Sequence, residues 1–328
     1  MKDSLTLKSS PVEQPAVPVT FYTILFAISL SHFLNDMIQS VITSVYPLLK
    51  QNYKLSFAQV GLITFVFQVT ASLLQPFVGN YTDKKPMPYS FAIGMFFSLA
   101  GIILLTYAHG FAIVLFSVAL VGIGSAVFHP EASKVAYYAS GGKRGLAQSI
   151  FQLGGNGGSA VGPLLAALIV IPFGQYNIVW FALAAILAIV VLWKVGDWYK
   201  THLDLRARQK KGMQEKRPAL GKSKVMVSLL ILLVLMFSKF FYMASITSYF
   251  TFYLIDKFSL SIQQSQVYLF VFLGAVAAGT LLGGSLGDKL GRKIIIWISI
   301  LGAAPFSLLL PYANLFWTGV LAALIGVI

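Results

Sequence analysis

The chain has 328 residues, 57% of them hydrophobic and 10% charged, with a mean hydropathy of +0.80. Soluble domains carry about 25% charged residues, so this composition excludes a water-soluble globular protein and asks for lipid around most of the surface. The absence of cysteine excludes disulfides, thiol nucleophiles and thiolate metal sites, and the net charge of +14 takes its meaning from where the charges lie.

Residues 1–19 form a polar tail without the apolar stretch of a secretory signal. Apolar runs fit to cross about 30 Å of hydrocarbon then predict ten spans. They lie near 20–48, 57–80, 88–108, 111–137, 145–171, 177–199, 225–255, 262–286, 293–312 and 315–328. The tenth stops at Ile328, after about 21 Å of helix at 1.5 Å per residue, and reads as a span cut short.

Span one carries His32, Asn35, Asp36, Gln39, Ser40 and Thr43 at steps of three and four, which places them on one stripe. An acid inside the membrane costs roughly 3 kcal/mol on insertion scales, so Asp36 is the first candidate for a carboxylate that takes and gives up a proton. A hydrogen-bonded bridge between helices is the alternative. Span four carries His129-Pro130-Glu131. Its proline removes a backbone donor and frees a carbonyl. Glu131 and His129 are further proton-site candidates, and no metal-ligand set is visible around His129. Span seven carries Lys239, the single lysine deep inside a span rather than near its end, with Ser238, Tyr242, Ser245 and Tyr249 at helical spacing.

The 24 Lys and Arg side chains divide sharply. With a cytoplasmic N-terminus, 20 fall in the tail and the even-numbered loops, and only Lys50, Lys54 and Lys257 on the other side. That is a positive-inside pattern rather than a nucleic-acid face. Residues 200–224, rich in charge with Pro and Gly, read as a cytoplasmic basic linker. It joins a six-helix bundle at 20–199 to a partial second bundle at 225–328, holding spans seven to nine and part of ten.

Sliding the chain by 205 residues lays Leu55-Ser56 on Leu260-Ser261, Gln59 on Gln264, Phe65-Val66-Phe67 on Phe270-Val271-Phe272, Gly79 on Gly284 and Asp83-Lys84 on Asp288-Lys289. Polar loop residues in register imply two halves in the same orientation, the layout of transporters that rock about a midplane site.

The second copy of this loop is Gly284-Ser285-Leu286-Gly287-Asp288-Lys289-Leu290-Gly291-Arg292-Lys293. It resembles the signature loop of the major facilitator superfamily, and the first copy keeps Gly79 and Asp83-Lys84 of that pattern. In the family this loop acts as a conformational latch. Gly158 to Pro163, with Gly162 between them, looks like part of the proton-antiporter motif of drug exporters, with Ala166-Ala167 where that motif closes on glycines. The same residues read equally as a small-residue face for helix packing. The segments Ser29–Ser40, Phe128–Glu131 and Ser238–Ser245 resemble the fosmidomycin-resistance branch of the superfamily.

The resemblance implies an all-α integral membrane fold of two six-helix bundles, the second incomplete. It also implies proton-coupled efflux of a small anionic phosphonate antibiotic across a bacterial inner membrane, by a monomer without cofactor or metal. Lys239, His32, Asn35, Gln39, Tyr46, Tyr242, Ser245 and Tyr249 are then the candidates for binding the anion. Lys239 either holds the phosphonate or pairs with Asp36 or Glu131, and exchange between these states would couple the two fluxes. A proton- or sodium-driven symporter of a small organic anion is the alternative. A membrane-embedded enzyme lacks any Gly-x-Ser-x-Gly, His-Glu-x-x-His or Walker loop to support it.

Overall fold

The computed structural model describes residues 19–209 and 222–328. Among the described residues its architecture is a bundle of ten principal helices, matching the ten predicted spans in number and order. They are α1 (Tyr22–Ser44), α2 (Phe57–Lys84), α3 (Ser90–Thr106), α4 (Phe111–Ala139), α5 (Arg144–Phe173), α6 (Trp180–Gln209), α7 (Lys222–Phe258), α8 (Ile262–Leu290), α9 (Lys293–Tyr312) and α10 (Leu315–Val327). Eight have the length and composition to cross a membrane, and α3 and α10 are shorter apolar helices. A short helix, Tyr46–Tyr53, follows α1.

Buried apolar side chains gather into two clusters. The larger draws on α1 to α6 around residues such as Ile38, Val118, Phe128 and Leu192. The smaller joins α7, α8 and α10 through Phe250, Leu254, Phe272 and Ile325, with Ala160 of α5 among them. Large apolar side chains such as Phe77, Phe116, Leu183, Leu233 and Phe237 point outward. That is a surface suited to lipid.

The 205-residue repeat is written into the backbone. Ser56 and Gln59 cap the start of α2 reciprocally, with Gln59 N donating to Ser56 Oγ (3.2 Å) and Ser56 N to Gln59 Oε1 (2.8 Å). Ser261 and Gln264 repeat both bonds at 3.1 Å at the start of α8. Each box satisfies helix donors that have no intrahelical partner. Two residues before each box the loop is left-handed, Lys54 at φ 51° and Ser259 at φ 53°.

The linker differs from expectation. α6 continues past the span end at residue 199 to Gln209, and α7 already begins at Lys222. From Lys200 to Gln209 the chain is polar but holds no Gly or Pro, and its Leu, Arg, Ala and Gln are good helix formers. Polarity ends a span without ending a helix. The tail (residues 1–18) and residues 210–221 lie outside the described residues.

Candidate functional site

The site begins at the seam between α1 and α5. Gly154, Gly158 and Gly162 lie one helical turn apart and let α5 approach the α1 backbone. A Cβ on Gly158 would stand 2.0 Å from the Phe33 carbonyl oxygen. Pro163 has no N–H for the Ser159 carbonyl one turn earlier, and Ser40 Oγ of α1 donates to that carbonyl instead at 2.6 Å. Ser29 Oγ donates to Ile150 O at 2.7 Å along the same seam. Of the two readings of this glycine segment, helix packing is the one its contacts support.

The close seam sets the position of His32. Its ring stacks on Phe151, with centroids 4.0 Å apart, and its Nδ1 lies 2.8 Å from Phe151 O. A carbonyl only accepts, so Nδ1 carries the hydrogen. From α4, His129 Nδ1 lies 3.0 Å from Ser125 O, which fixes the same tautomer. Both rings therefore turn Nε2 toward one carboxylate. His32 Nε2 is 3.2 Å from Asp36 Oδ2 and His129 Nε2 is 3.4 Å from Asp36 Oδ1. The amides of Asn35 and Gln39 donate to Asp36 Oδ1 at 3.0 and 3.3 Å. Neutral imidazoles in this tautomer would face the carboxylate with bare lone pairs. The arrangement thus calls for protons shared between the imidazoles and the carboxylate.

Asp36 opens onto a cavity of about 330 Å³ between the halves. Its polar lining includes Gln39 and Thr43 of α1, Gln68 of α2, Asn156 of α5 and Thr247 of α7, beside apolar Phe240, Met243 and Leu273. Gln68, Asn156 and Thr247 escaped the sequence reading. Each is a lone amide or hydroxyl in an apolar span, and only the packing of different helices brings them together.

At the end carrying the loops after α1 and α7, the halves touch. Thr64 Oγ1 lies 3.1 Å from Ser248 Oγ and 3.2 Å from Tyr46 OH. Gln266 Nε2 of α8 donates to Ser44 O at 2.8 Å, and Phe57 meets Phe252 edge-on at 5.3 Å. Tyr46, expected to line the cavity, is fully buried in this contact instead. At the opposite end Lys134 Nζ of α4 reaches Asp83 Oδ1, Glu131 Oε1 and Thr82 Oγ1, each at 2.7 Å. These groups belong to α2 and α4 of the first half.

Several expected site residues stand elsewhere. Glu131 is completely buried and paired with Lys134, away from Asp36. It follows His129 by two residues, or 200° around the helix, so the two face different neighbours. Lys239 forms no ion pair with Asp36 or Glu131 among the described residues, and its Nζ donates to Ser299 Oγ of α9 at 2.7 Å. The cavity face of α7 is Phe240, Met243, Ala244 and Thr247. Lys239 sits about 100° from Phe240 and about 40° beyond Met243, just past the edge of that face. Tyr242, Ser245 and Tyr249 line a separate cavity of about 240 Å³ within the second half. There Tyr242 OH contacts Ser307 Oγ at 2.5 Å. In the loop motifs, Gly79 packs on Pro130 and Gly291 turns between α8 and α9 at φ 92°. Lys293 is exposed, while the side-chain surroundings of Gly284, Asp288 and Arg292 lie outside the described residues.

A repeated pair of helical halves around a polar intramembrane cavity defines a multi-pass secondary transporter, and the chain belongs to the Major Facilitator Superfamily, whose family profile matches residues 28–328. It is 58% identical over 311 residues to the fosmidomycin resistance protein of Escherichia coli (strain K12), covering 94% of this chain and 76% of that protein. It is 44% identical over 325 residues to an uncharacterised MFS-type transporter, YfnC, of Bacillus subtilis (strain 168), covering 98% of this chain and 78% of that one. The fold also matches the crystal structure of a bacterial homologue of the human lysosomal transporter Spinster. The TM-score is 0.69 at 18% identity, over 93% of this chain and 71% of that one.

Proposed function

We propose that this transporter exports a small anionic phosphonate of the fosmidomycin kind in exchange for protons, across a bacterial inner membrane with its N-terminus in the cytoplasm. The likeness to a fosmidomycin resistance protein supports the cargo. The division of Lys and Arg between loops supports the orientation. The observation that carries the coupling is the position of Asp36, braced by His32 and His129 at the wall of the interbundle cavity.

Sealing a charged group away from water without a partner is costly. A triad stripped of its protons leaves Asp36 only the neutral amides of Asn35 and Gln39 and therefore resists occlusion, whereas protonation from outside satisfies it. On the other stroke, hydroxyl donors of the cargo satisfy the same carboxylate while Asn156, Gln68 and Thr247 hold its anionic oxygens. Exchange follows because the closed intermediate forms with either occupant and not with the bare site. Lys239 plays no part in this scheme.

The test is efflux of fosmidomycin from cells carrying the chain. Wild type lowers cellular drug without added sodium, and Asp36→Asn at equal membrane abundance does not. Full efflux by Asp36→Asn, or strict dependence on sodium, would overturn the reading.

A further inference from the structure

We propose that His32, Asp36 and His129 also form a site for a divalent transition-metal ion of the zinc class, which competes with the protons of the exchange cycle. The inference rests on the reading of this triad as the coupling site and adds a second ligand for it.

The three ligating atoms lie within 4.8 Å of one another. Tetrahedral zinc with bonds of about 2.0–2.1 Å has ligand-to-ligand edges of roughly 3.3–3.4 Å. His32 Nε2 is 3.2 Å from Oδ2 of Asp36 and His129 Nε2 is 3.4 Å from its Oδ1, so each imidazole stands at about that distance from a different oxygen, and a small turn of the carboxylate would present one oxygen to both. Both rings donate their other nitrogen to a backbone carbonyl, Phe151 O and Ser125 O. This is the support that metal-bound imidazoles need to hold tautomer and direction. The Asn35 and Gln39 amides orient the carboxylate in the same way. Two imidazoles and a carboxylate suit zinc, nickel or copper rather than calcium or magnesium. Three protein ligands leave a fourth position for water or cargo.

Access and space are present. Asp36 borders the cavity, and the His129 side chain is 25% exposed. A Cβ on Gly155 would fall 2.4 Å from His32 Nε2 and 2.8 Å from Asp36 Oδ2, so this glycine leaves room for the facing His32 and Asp36 ligand atoms. The metal binds by replacing whatever protons the three groups share, which leave to solvent.

The experiment uses the purified full chain with Co²⁺ as the probe, read through its visible absorption, and Zn²⁺ as the competitor. One Co²⁺ per chain is expected, displaced by Zn²⁺. His129→Gln and His32→Gln should each weaken binding by at least about tenfold, as loss of even supporting groups does. Gly155→Ala, which keeps all three ligand residues but must push the His32 ring and the Asp36 carboxylate from their places, should weaken it as well. Thermal unfolding midpoints identify any variant that fails to fold. No Co²⁺ binding by folded wild type overturns the proposal. So does binding that survives both histidine variants, which would place the ion at His109 or His202. Proton exchange measured in metal-free buffer reads the transport scheme independently, so the two ideas fail separately.

Discussion

Thr64 Oγ1 of α2 and Ser248 Oγ of α7 stand 3.1 Å apart, a direct hydroxyl contact between the two halves of the molecule. It is backed by Gln266 on the Ser44 carbonyl and by Phe57 against Phe252. In the proposed orientation, with the N-terminus cytoplasmic, this is the outer end, and the structure is closed there. Alternating access requires this contact to break in every cycle.

Because the chain has no cysteine, a Thr64→Cys/Ser248→Cys pair reports on that contact without background. The two oxygens, 3.1 Å apart, mark where the sulfurs would sit, and these must close by about 1 Å to reach an S–S bond of about 2.0 Å. Oxidation should cross-link the pair and abolish efflux, and reduction should restore it. Efflux that continues in the cross-linked protein would show that these helices stay together throughout the cycle.

The two neighbouring glycines Gly157 and Gly158 separate packing from sequence motif. A Cβ on Gly158 would meet the Phe33 carbonyl oxygen at 2.0 Å, whereas one on Gly157 finds the Phe33 ring at an ordinary 3.5 Å. Gly158→Ala should therefore cost about 1–3 kcal/mol, as overpacking does, and Gly157→Ala should be near neutral. Thermal unfolding in detergent measures both. Equal effects would refute the packing account.

Lys134 holds Glu131, which is fully buried, and Asp83, whose side chain is 66% exposed. Lys134→Met strands the buried Glu131 charge and should destabilise by about 3–5 kcal/mol. Asp83→Asn should cost under about 1 kcal/mol, as exposed pairs do. Adding Glu131→Gln to Lys134→Met should recover much of the loss. A double variant as unstable as the single one would contradict a charge-pair role.

Lys239→Met should leave proton exchange intact, since its amine engages Ser299 and lies off the cavity face of α7. Proton-flux recordings from this variant that matched Asp36→Asn would restore Lys239 to the mechanism.

Sequence made the spans legible because hydrocarbon thickness imposes a length and a composition on each helix. The repeat was legible for a related reason. Ser56/Gln59 and Ser261/Gln264 are polar capping boxes, and lipid contact alone would not preserve them in register. Asp36 and His129 were each visible as ionisable groups set in hydrocarbon. Their meeting was not, because they are 93 residues apart on helices whose rotation depends on the glycine seam of α5. Lys239 shows the complementary failure. The repeat places it at a depth close to that of Asp36, but depth does not determine which way a side chain faces. Glu131 was separable from His129 by helical geometry alone, since two residues carry a side chain to the far side of α4.

Proton movement driven by cargo tests the central claim most directly. Proteoliposomes holding the full chain and a trapped pH dye are given a fosmidomycin gradient at equal pH, in metal-free and sodium-free buffer. Wild type should move protons against the direction of cargo, and Asp36→Asn should show no proton signal. Cargo movement without protons in wild type, or an unchanged proton signal in Asp36→Asn, would contradict the account.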